Sequence, residues 1–283
     1  MKLSIISFRI KELVKYYLRA DTIYNIHSPL VYNLAEQIFR KEVYKNSFCC
    51  IEEIRKQCII DKNIISIVDH GAGSMSYSGN HTYRTLSSIV NTAVSMKGKC
   101  ILLYRIVRFF KPDTILELGA SLGISTLYLA KAAPESKILT IEGDPVIASY
   151  ASRHFKQCGA KLITLVSAKI EDVLSTLLCD YPNINLIYVD AHHSYASTIK
   201  YFQEILRVLK DVVLIFDDIY WSAEMKKAWE DIKNDTRVSI TIDLYQMGVV
   251  VIRTGLSKQN FTLIDYKYKP FRFGIFAPEI NNQ

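Results

Sequence analysis

The chemistry-bearing residues of this 283-residue chain gather at the ends of short apolar runs. Glu142 follows Lys137–Ile141, Asp190 follows Ile184–Val189, and Asp217-Asp218 follows Val212–Phe216. If these runs are strands of one open parallel sheet, their carboxyl ends share an edge, which is where such sheets hold ligands. Asp190, Asp217 and Asp218 would then crowd three carboxylates together, and a cation or a ligand must neutralise them. An all-oxygen set suits a hard divalent ion such as Mg2+ or Ca2+, so these three residues are candidate metal ligands.

A second constellation lies upstream. Glu117, Gly119 and Gly123 form ExGxxxG between the apolar run Thr114–Leu118 and a helix-like stretch from Ile124 to Ala133. Glycines between a strand and a helix let the backbone approach a ligand at the helix N-terminus. The turn lacks the middle glycine of the dinucleotide fingerprint, and no Lys-Ser/Thr pair completes a phosphate loop. A carboxylate in the turn, Glu117, repels phosphate but suits an ammonium or sulfonium group. Glu142 lies 23 residues beyond Gly119, the usual offset of a carboxylate that grips ribose hydroxyls. Adenosine attached to a cationic amino acid satisfies this pattern better than a dinucleotide does.

The elements that must position these groups alternate. After Pro134 stops the first helix, a strand ends at Glu142-Gly143-Asp144 and a helix runs from Pro145 to Gln157. Strand Leu162–Val166, helix Glu171–Leu178, strand Ile184–Val189, helix Tyr195–Leu209, strand Val212–Phe216 and helix Ala223–Lys233 follow. Val238–Leu244 and Val249–Ile252, separated by Tyr245–Gly248, read as an antiparallel closing pair. Phe261 to Phe276 reads as a tail along the sheet edge.

ELGASLGIST, TIEGDP, VDAHHSY and FDDIYWS, in this order on successive strand ends, resemble the motifs of class I S-adenosylmethionine (SAM) methyltransferases. The resemblance is greatest to the branch of catechol and caffeoyl-CoA type O-methyltransferases, and it covers about Lys111 to Arg253. It implies a Rossmann-like α/β fold with a seven-stranded, mostly parallel sheet whose last strand is antiparallel. It implies SAM held by Glu117, Gly119, Ala120, Ser121, Gly123, Ser125, Glu142, Gly143, Ala168 and Asp190, with Ala168 beside the adenine. The metal-dependent enzymes carry Asp, then Asp-Asn, where this chain has Asp190, then Asp217-Asp218. Those positions favour a metal-assisted reaction. Two departures stand against it: Asp218 replaces the amide, and no lysine follows Asp190 closely. The Asp-x-x-His-x-Tyr form of another branch is matched by Asp190, His193 and Tyr195, which makes Asp190 and His193 the candidate catalytic pair, with His193 as a base that needs no metal.

Residues 1–98 read as a basic, mainly helical extension before a SAM-binding domain at 99–283. Helical spacing marks Ile6, Ile10, Leu13, Val14 and Tyr17, then Leu30–Phe39 behind Ser28-Pro29, and Tyr44–Cys58. Ile64–Gly73 imitates a strand and glycine turn, but MSYSGNH follows instead of a helix, so Asp69–His81 reads as a loop near the catalytic mouth. Tyr83–Met96 and Lys99–Phe110 read as helices.

Hydrophobic content of 49% with 22% charged residues excludes a disordered chain. Residues 1–110 hold 16 Lys and Arg against 8 Asp and Glu, while residues 111–283 hold 19 against 20. The net charge of +7 therefore sits in the first third, where an acidic partner such as nucleic acid or an anionic lipid surface would meet it. Six cysteines without CxxC or zinc spacing read as reduced thiols in a cytoplasmic protein, and no run is long enough to span a membrane. The expected function is SAM-dependent methyl transfer to oxygen of a small molecule, by a chain that acts alone or as a homodimer. The alternatives are an RNA or protein methyltransferase docking through the basic region, and a SAM-binding protein without turnover.

Overall fold

Residues 2–42, 45–68 and 81–269 are described in the computed structural model. Before the first glycine turn the chain forms α1 (Lys2–Arg19), α2 (Pro29–Phe39), α3 (Cys49–Ile60), the strands β1 (Ile64–Val68) and β2 (His81–Thr85), α4 (Leu86–Ala93) and α5 (Lys97–Phe110). Strand and helix then alternate: β3 (Thr114–Leu118), α6 (Ile124–Ala132), β4 (Lys137–Glu142), α7 (Pro145–Gln157), β5 (Ile163–Ser167), α8 (Ile170–Asp180), β6 (Leu186–Val189), α9 (Tyr195–Val208), β7 (Val212–Asp217) and α10 (Ala223–Asn234). The chain closes with β8 (Ile240–Asp243), β9 (Met247–Ile252) and β10 (Gln259–Thr262).

Eight strands form the main sheet in the order β10-β8-β9-β7-β6-β3-β4-β5. Only β9 runs against the others, antiparallel to both β7 and β8. Every residue of β3, β6, β7 and β9 is buried, as parallel-sheet strands covered on both faces must be. The expected α/β sheet with an antiparallel strand near its end is present. It has eight strands rather than seven because Gln259–Thr262, at the start of the expected edge tail, pairs in parallel with β8. The chain leaves β3 in one direction for β4 and β5, then returns to the other side of β3 for β6. That reversal opens the crevice at the carboxyl ends of β3 and β6.

The N-terminal helices cover one face of this sheet. Leu34 and Ile38 of α2, Ile51 and Ile54 of α3, and Leu103 and Val107 of α5 share one apolar cluster with Ile115, Ile138, Tyr188 and Val213 of the strands. The basic first third thus contributes to the core beneath the central strands.

Two local expectations are corrected, and a third falls outside the described residues. Tyr83 begins no helix: Thr82, Tyr83 and Thr85, with strand-favouring side chains, pair antiparallel with β1, and the helix starts at Leu86 behind a Thr85 cap. The stretch 69–80 of the expected mouth loop lies outside the described residues. Cys50 and Cys158 are not separate thiols but form a disulfide, since α3 packs where α7 ends and brings together sulfurs 108 residues apart. Of the remaining thiols, Cys58 and Cys100 are buried and Cys49 and Cys179 exposed.

Candidate active site

The glycine turn is built on backbone needs. Gly119 has φ +98°, and a Cβ there would lie 2.3 Å from the Asp190 carbonyl oxygen. Gly123, at φ +78°, caps α6, and a Cβ there would strike the Phe155 ring. Gly119 N–H and Ala120 N–H both donate to the Ile141 carbonyl, tying the turn to β4. Ser121 takes the left-handed conformation at φ 47°, and its N–H donates to Glu142 Oε2 at 2.8 Å. Asp144 N–H donates to Glu142 Oε1 at 2.9 Å, so the β4 carboxylate is held facing the turn. Gly143 lies between them, and Ala168 N–H donates to the Glu142 carbonyl at 3.0 Å. The structure therefore brings Glu117, Gly119, Ala120, Ser121, Gly123, Ser125, Glu142, Gly143 and Ala168 to one end of neighbouring strands and the start of α6.

Glu117 is fully buried. Thr126 and Thr140 donate to its Oε2 at 2.5 and 2.6 Å, while Oε1 has no hydrogen-bond partner among the described residues. Burial pushes its pKa up to about 7, although Thr126, Thr140 and Ser125 favour the charged form. Burial also raises Glu142. Two carboxyls held above their ordinary range suit a site completed by a cationic ligand with hydroxyl donors. Ser121 Oγ is a second buried polar atom at the same turn without a partner among the described residues. These atoms fit the amino-acid and ribose ends of SAM.

Across the switch point stands the acidic cluster. Tyr188 Oη donates to Asp190 Oδ2 at 3.1 Å, and His193 Nε2 lies 3.4 Å from Asp190 Oδ1. Burial works to raise Asp190, yet His193 and Lys99 hold it below the usual carboxylate value. Burial works to lower His193, yet Asp190 and then Asp218 raise it above the ordinary histidine value. His192 instead bonds Tyr201 at 2.8 Å, on the other side of the loop. His192, His193, Asp218 and Ser121 all have positive φ, so the strained backbone is concentrated at these strand ends.

The cation at this site belongs to the protein. Lys99, from α5, places Nζ 2.6 Å from Asp217 Oδ2 and 2.6 Å from Asp218 Oδ1. Burial opposes its charge, but Asp217, Asp218 and Asp190 together raise its pKa. Asp217 is itself pushed far up by burial and by the Asp190 charge. The expected metal set of Asp190, Asp217 and Asp218 does not fit a divalent ion: an ammonium lies where the ion would sit, and no group of three or more His, Cys, Asp or Glu could hold a metal among the described residues. Sequence reading missed Lys99 because it stands 119 residues before Asp218 in a helix that reads as basic and apolar. Its only signal is a lysine at the start of a helix whose other buried positions are mostly apolar.

Of the aromatics Tyr195, Tyr220 and Trp221 that follow these strand ends, Trp221 stands beside the histidine, its ring 5.9 Å from that of His193. Arg9 of α1 covers Trp221 at 3.9 Å and donates to its carbonyl. Tyr220 is tied to Asp243 and stacked on Tyr245, and Tyr195 donates to Asp231.

This sheet order is shared with Rossmann-like methyltransferases of known structure. Residues 116–219 match the family model described as a methyltransferase domain. An O-methyltransferase from Bacillus cereus in complex with SAH aligns with TM-score 0.51 at 15% identity, over 79% of this chain and 97% of that one. A putative O-methyltransferase from Klebsiella pneumoniae aligns with TM-score 0.52 at 16% identity, over 79% and 96%. At these identities the likeness is one of fold. In sequence, a catechol O-methyltransferase of Niastella koreensis is 29% identical over 125 residues, 43% of this chain and 55% of that protein. The transmembrane O-methyltransferase of Homo sapiens is 35% identical over 89 residues, 30% of each chain. The matched segments thus span about a third to a half of these relatives. No helix among the described residues is long and apolar enough to cross a membrane.

Proposed function

We propose that this chain transfers the methyl group of SAM to a hydroxyl oxygen of a small molecule without a divalent metal. The observation that carries the reading is the pairing, across one switch point, of Glu117 and its unpartnered Oε1 with the Asp190–His193 couple. When bound, SAM supplies a sulfonium methyl that the acceptor oxygen captures as the C–S bond breaks. Glu117 answers the charge of the cofactor's amino-acid end, and Glu142 the ribose. Asp190 accepts from His193 Nε2–H, which leaves Nδ1 free to take the acceptor's proton. Asp190 also steadies the imidazolium that results. Lys99 holds Asp217 and Asp218 in place and offsets their charge beside the forming bond. The similarity to O-methyltransferases in sequence and fold supports oxygen as the acceptor atom.

The test is calorimetry with SAM, followed by transfer assays on a panel of catechols and other hydroxylated small molecules, on RNA and on protein, each with and without EDTA. Methylated small molecules in the presence of EDTA are expected. Transfer to protein or RNA alone would redirect the reading, and absence of SAM binding would end it.

A further inference from the structure

The turn that carries His193 is held through its neighbour. Between β6 and α9 the chain reverses at His192 and His193, with φ of 59° and 27°. Side chains other than glycine rarely adopt that conformation, and it persists only where the surroundings hold it. Ahead of the pair, Asp190 N–H donates to the Leu118 carbonyl at 3.0 Å. Behind it, Ser194 caps α9 by accepting from Ser197 N–H at 3.3 Å. In the middle, His192 Nδ1 lies 2.8 Å from Tyr201 Oη, while His193 faces Asp190 and Trp221.

Tyr201 is fully buried in α9. Its hydroxyl proton goes to Glu171 Oε1 at 2.5 Å, so the oxygen accepts from His192, which carries its proton on Nδ1. Burial works to raise Glu171, yet the Tyr201 hydrogen bond holds it below the ordinary carboxylate value, in the charged form that accepts best. The direct distance from His192 Nδ1 to Glu171 Oε1 is 4.0 Å, too long for a hydrogen bond, so the tyrosine oxygen is the bridge. Ring packing does not require that oxygen: phenylalanine would fill the same apolar cluster, with Phe202 and Leu206. Glu171 lies in the first turn of α8, just past Ala168, whose N–H is tied to the Glu142 carbonyl.

We propose that Tyr201 is a positioning residue: the chain from Glu171 through Tyr201 to His192 holds the left-handed turn so that His193 stands against Asp190. Its bearing on turnover rests on the reading of His193 as the base of methyl transfer. The base is then fixed from behind, through the histidine beside it, and is tied to the helix that follows Ala168.

The experiment is histidine-resolved NMR of the full chain, with His193 assigned by its loss in His193→Ala. Two readings are taken: the cross-peak between the His193 and Trp221 rings, and the pH at which His193 titrates. Tyr201→Phe removes the hydroxyl and keeps the ring. His192→Ala removes the donor and leaves Tyr201 on Glu171. Tyr128→Phe is the control, since it takes a buried hydroxyl from Glu52 in the other apolar cluster. Loss of the cross-peak and a His193 midpoint moved to lower pH are expected in both test variants. Burial and Lys99 oppose the charge of His193 while Asp190 and Asp218 favour it, so a ring drawn away from Asp190 loses its main support. The control should keep both readings. An unchanged contact or midpoint in either test variant, absence of the contact in the unaltered chain, or the same change in Tyr128→Phe would overturn the proposal. Neither reading needs SAM or turnover. A chain without methyl transfer would still answer the question, and an unmoved His193 would leave the methyl-transfer reading standing.

Discussion

Lys99 Nζ lies 2.6 Å from Asp217 Oδ2, and this ammonium fills the place where the sequence pattern called for a divalent ion. Both groups are buried, so each depends on the other. Removing one partner of a buried pair leaves an uncompensated charge and costs about 3–5 kcal/mol. Lys99→Met is therefore expected to lower stability by that order at neutral pH. The loss should shrink at lower pH, where Asp190, which Lys99 helps to hold below the usual carboxylate value, takes up a proton. Lys99→Met combined with Asp217→Asn should recover much of it. Denaturant titrations at two pH values measure all three. A destabilisation that the double variant does not relieve would show that the pair is not the source. Methyl transfer by the unaltered chain should persist in EDTA.

Gly119 tests the cofactor turn. An added Cβ would meet a backbone oxygen at 2.3 Å, and the Asp190 carbonyl cannot swing aside as a side chain could. Gly119→Ala should abolish SAM binding in calorimetry. Gly159 is the control: its φ of +65° is also left-handed, but nothing lies within 4 Å of a Cβ there. Gly159→Ala should cost only backbone strain, about 1–2 kcal/mol of stability, and leave affinity unchanged. Equal loss of affinity in both variants would assign the effect to general destabilisation.

The glycine-turn half of the site was legible because it is local. ExGxxxG and Glu142 lie on two successive strands, and hydrophobic runs with turn residues place them without knowledge of the rest. The alternation of strand and helix from Thr114 onward, and the antiparallel run at Val249–Ile252, which in the fold begins at Met247, were legible for the same reason. What escaped is long-range. Lys99 meets Asp218 across 119 residues, and Cys50 meets Cys158 across 108, with no motif linking either pair. The short run 259–262 becomes a strand only because β8 offers it an edge. The spacing of Ile6, Ile10, Leu13, Val14 and Tyr17 gave a helix correctly, but periodicity does not say which face turns inward. Three polar anchors, Arg9, Glu12 and Tyr16, decide that.

His193 sets the expected pH dependence. Asp190 raises it above the ordinary value of about 6.5, Asp218 adds to this, and burial and Lys99 oppose it. A base must be neutral, so turnover should rise with pH through an apparent pKa higher than that of a free histidine. Asp190→Asn removes the largest raising influence and leaves burial in place. The inflection should then move to lower pH, with turnover also reduced because the imidazolium loses its partner. His193→Ala should remove the inflection while SAM affinity stays nearly unchanged. A profile that keeps the same inflection in His193→Ala would exclude this residue as the base. The same shift has a stability counterpart. A folded-state pKa raised above the unfolded one gives stabilisation that is complete below the unfolded value and is lost as pH rises through the folded value.

Glu117 joins stability to function with opposite signs. Its folded-state pKa of about 7 exceeds an unfolded value of about 4.5, because burial disfavours the charged form. Its carboxyl therefore favours the folded state most below the unfolded pKa, and that advantage fades as pH rises through about 7. Glu117→Gln removes the charge while keeping the shape and an acceptor for Thr126 and Thr140. Without cofactor, the variant should be more stable than the unaltered chain near pH 8, by on the order of 1–3 kcal/mol, and about equal to it near pH 4. Its SAM affinity should fall, since the amide cannot answer an ammonium. Thermal melts across pH and calorimetry at pH 8 read the two effects separately. Loss of affinity without gain of stability would mean that Glu117 is already neutralised by a group within the protein.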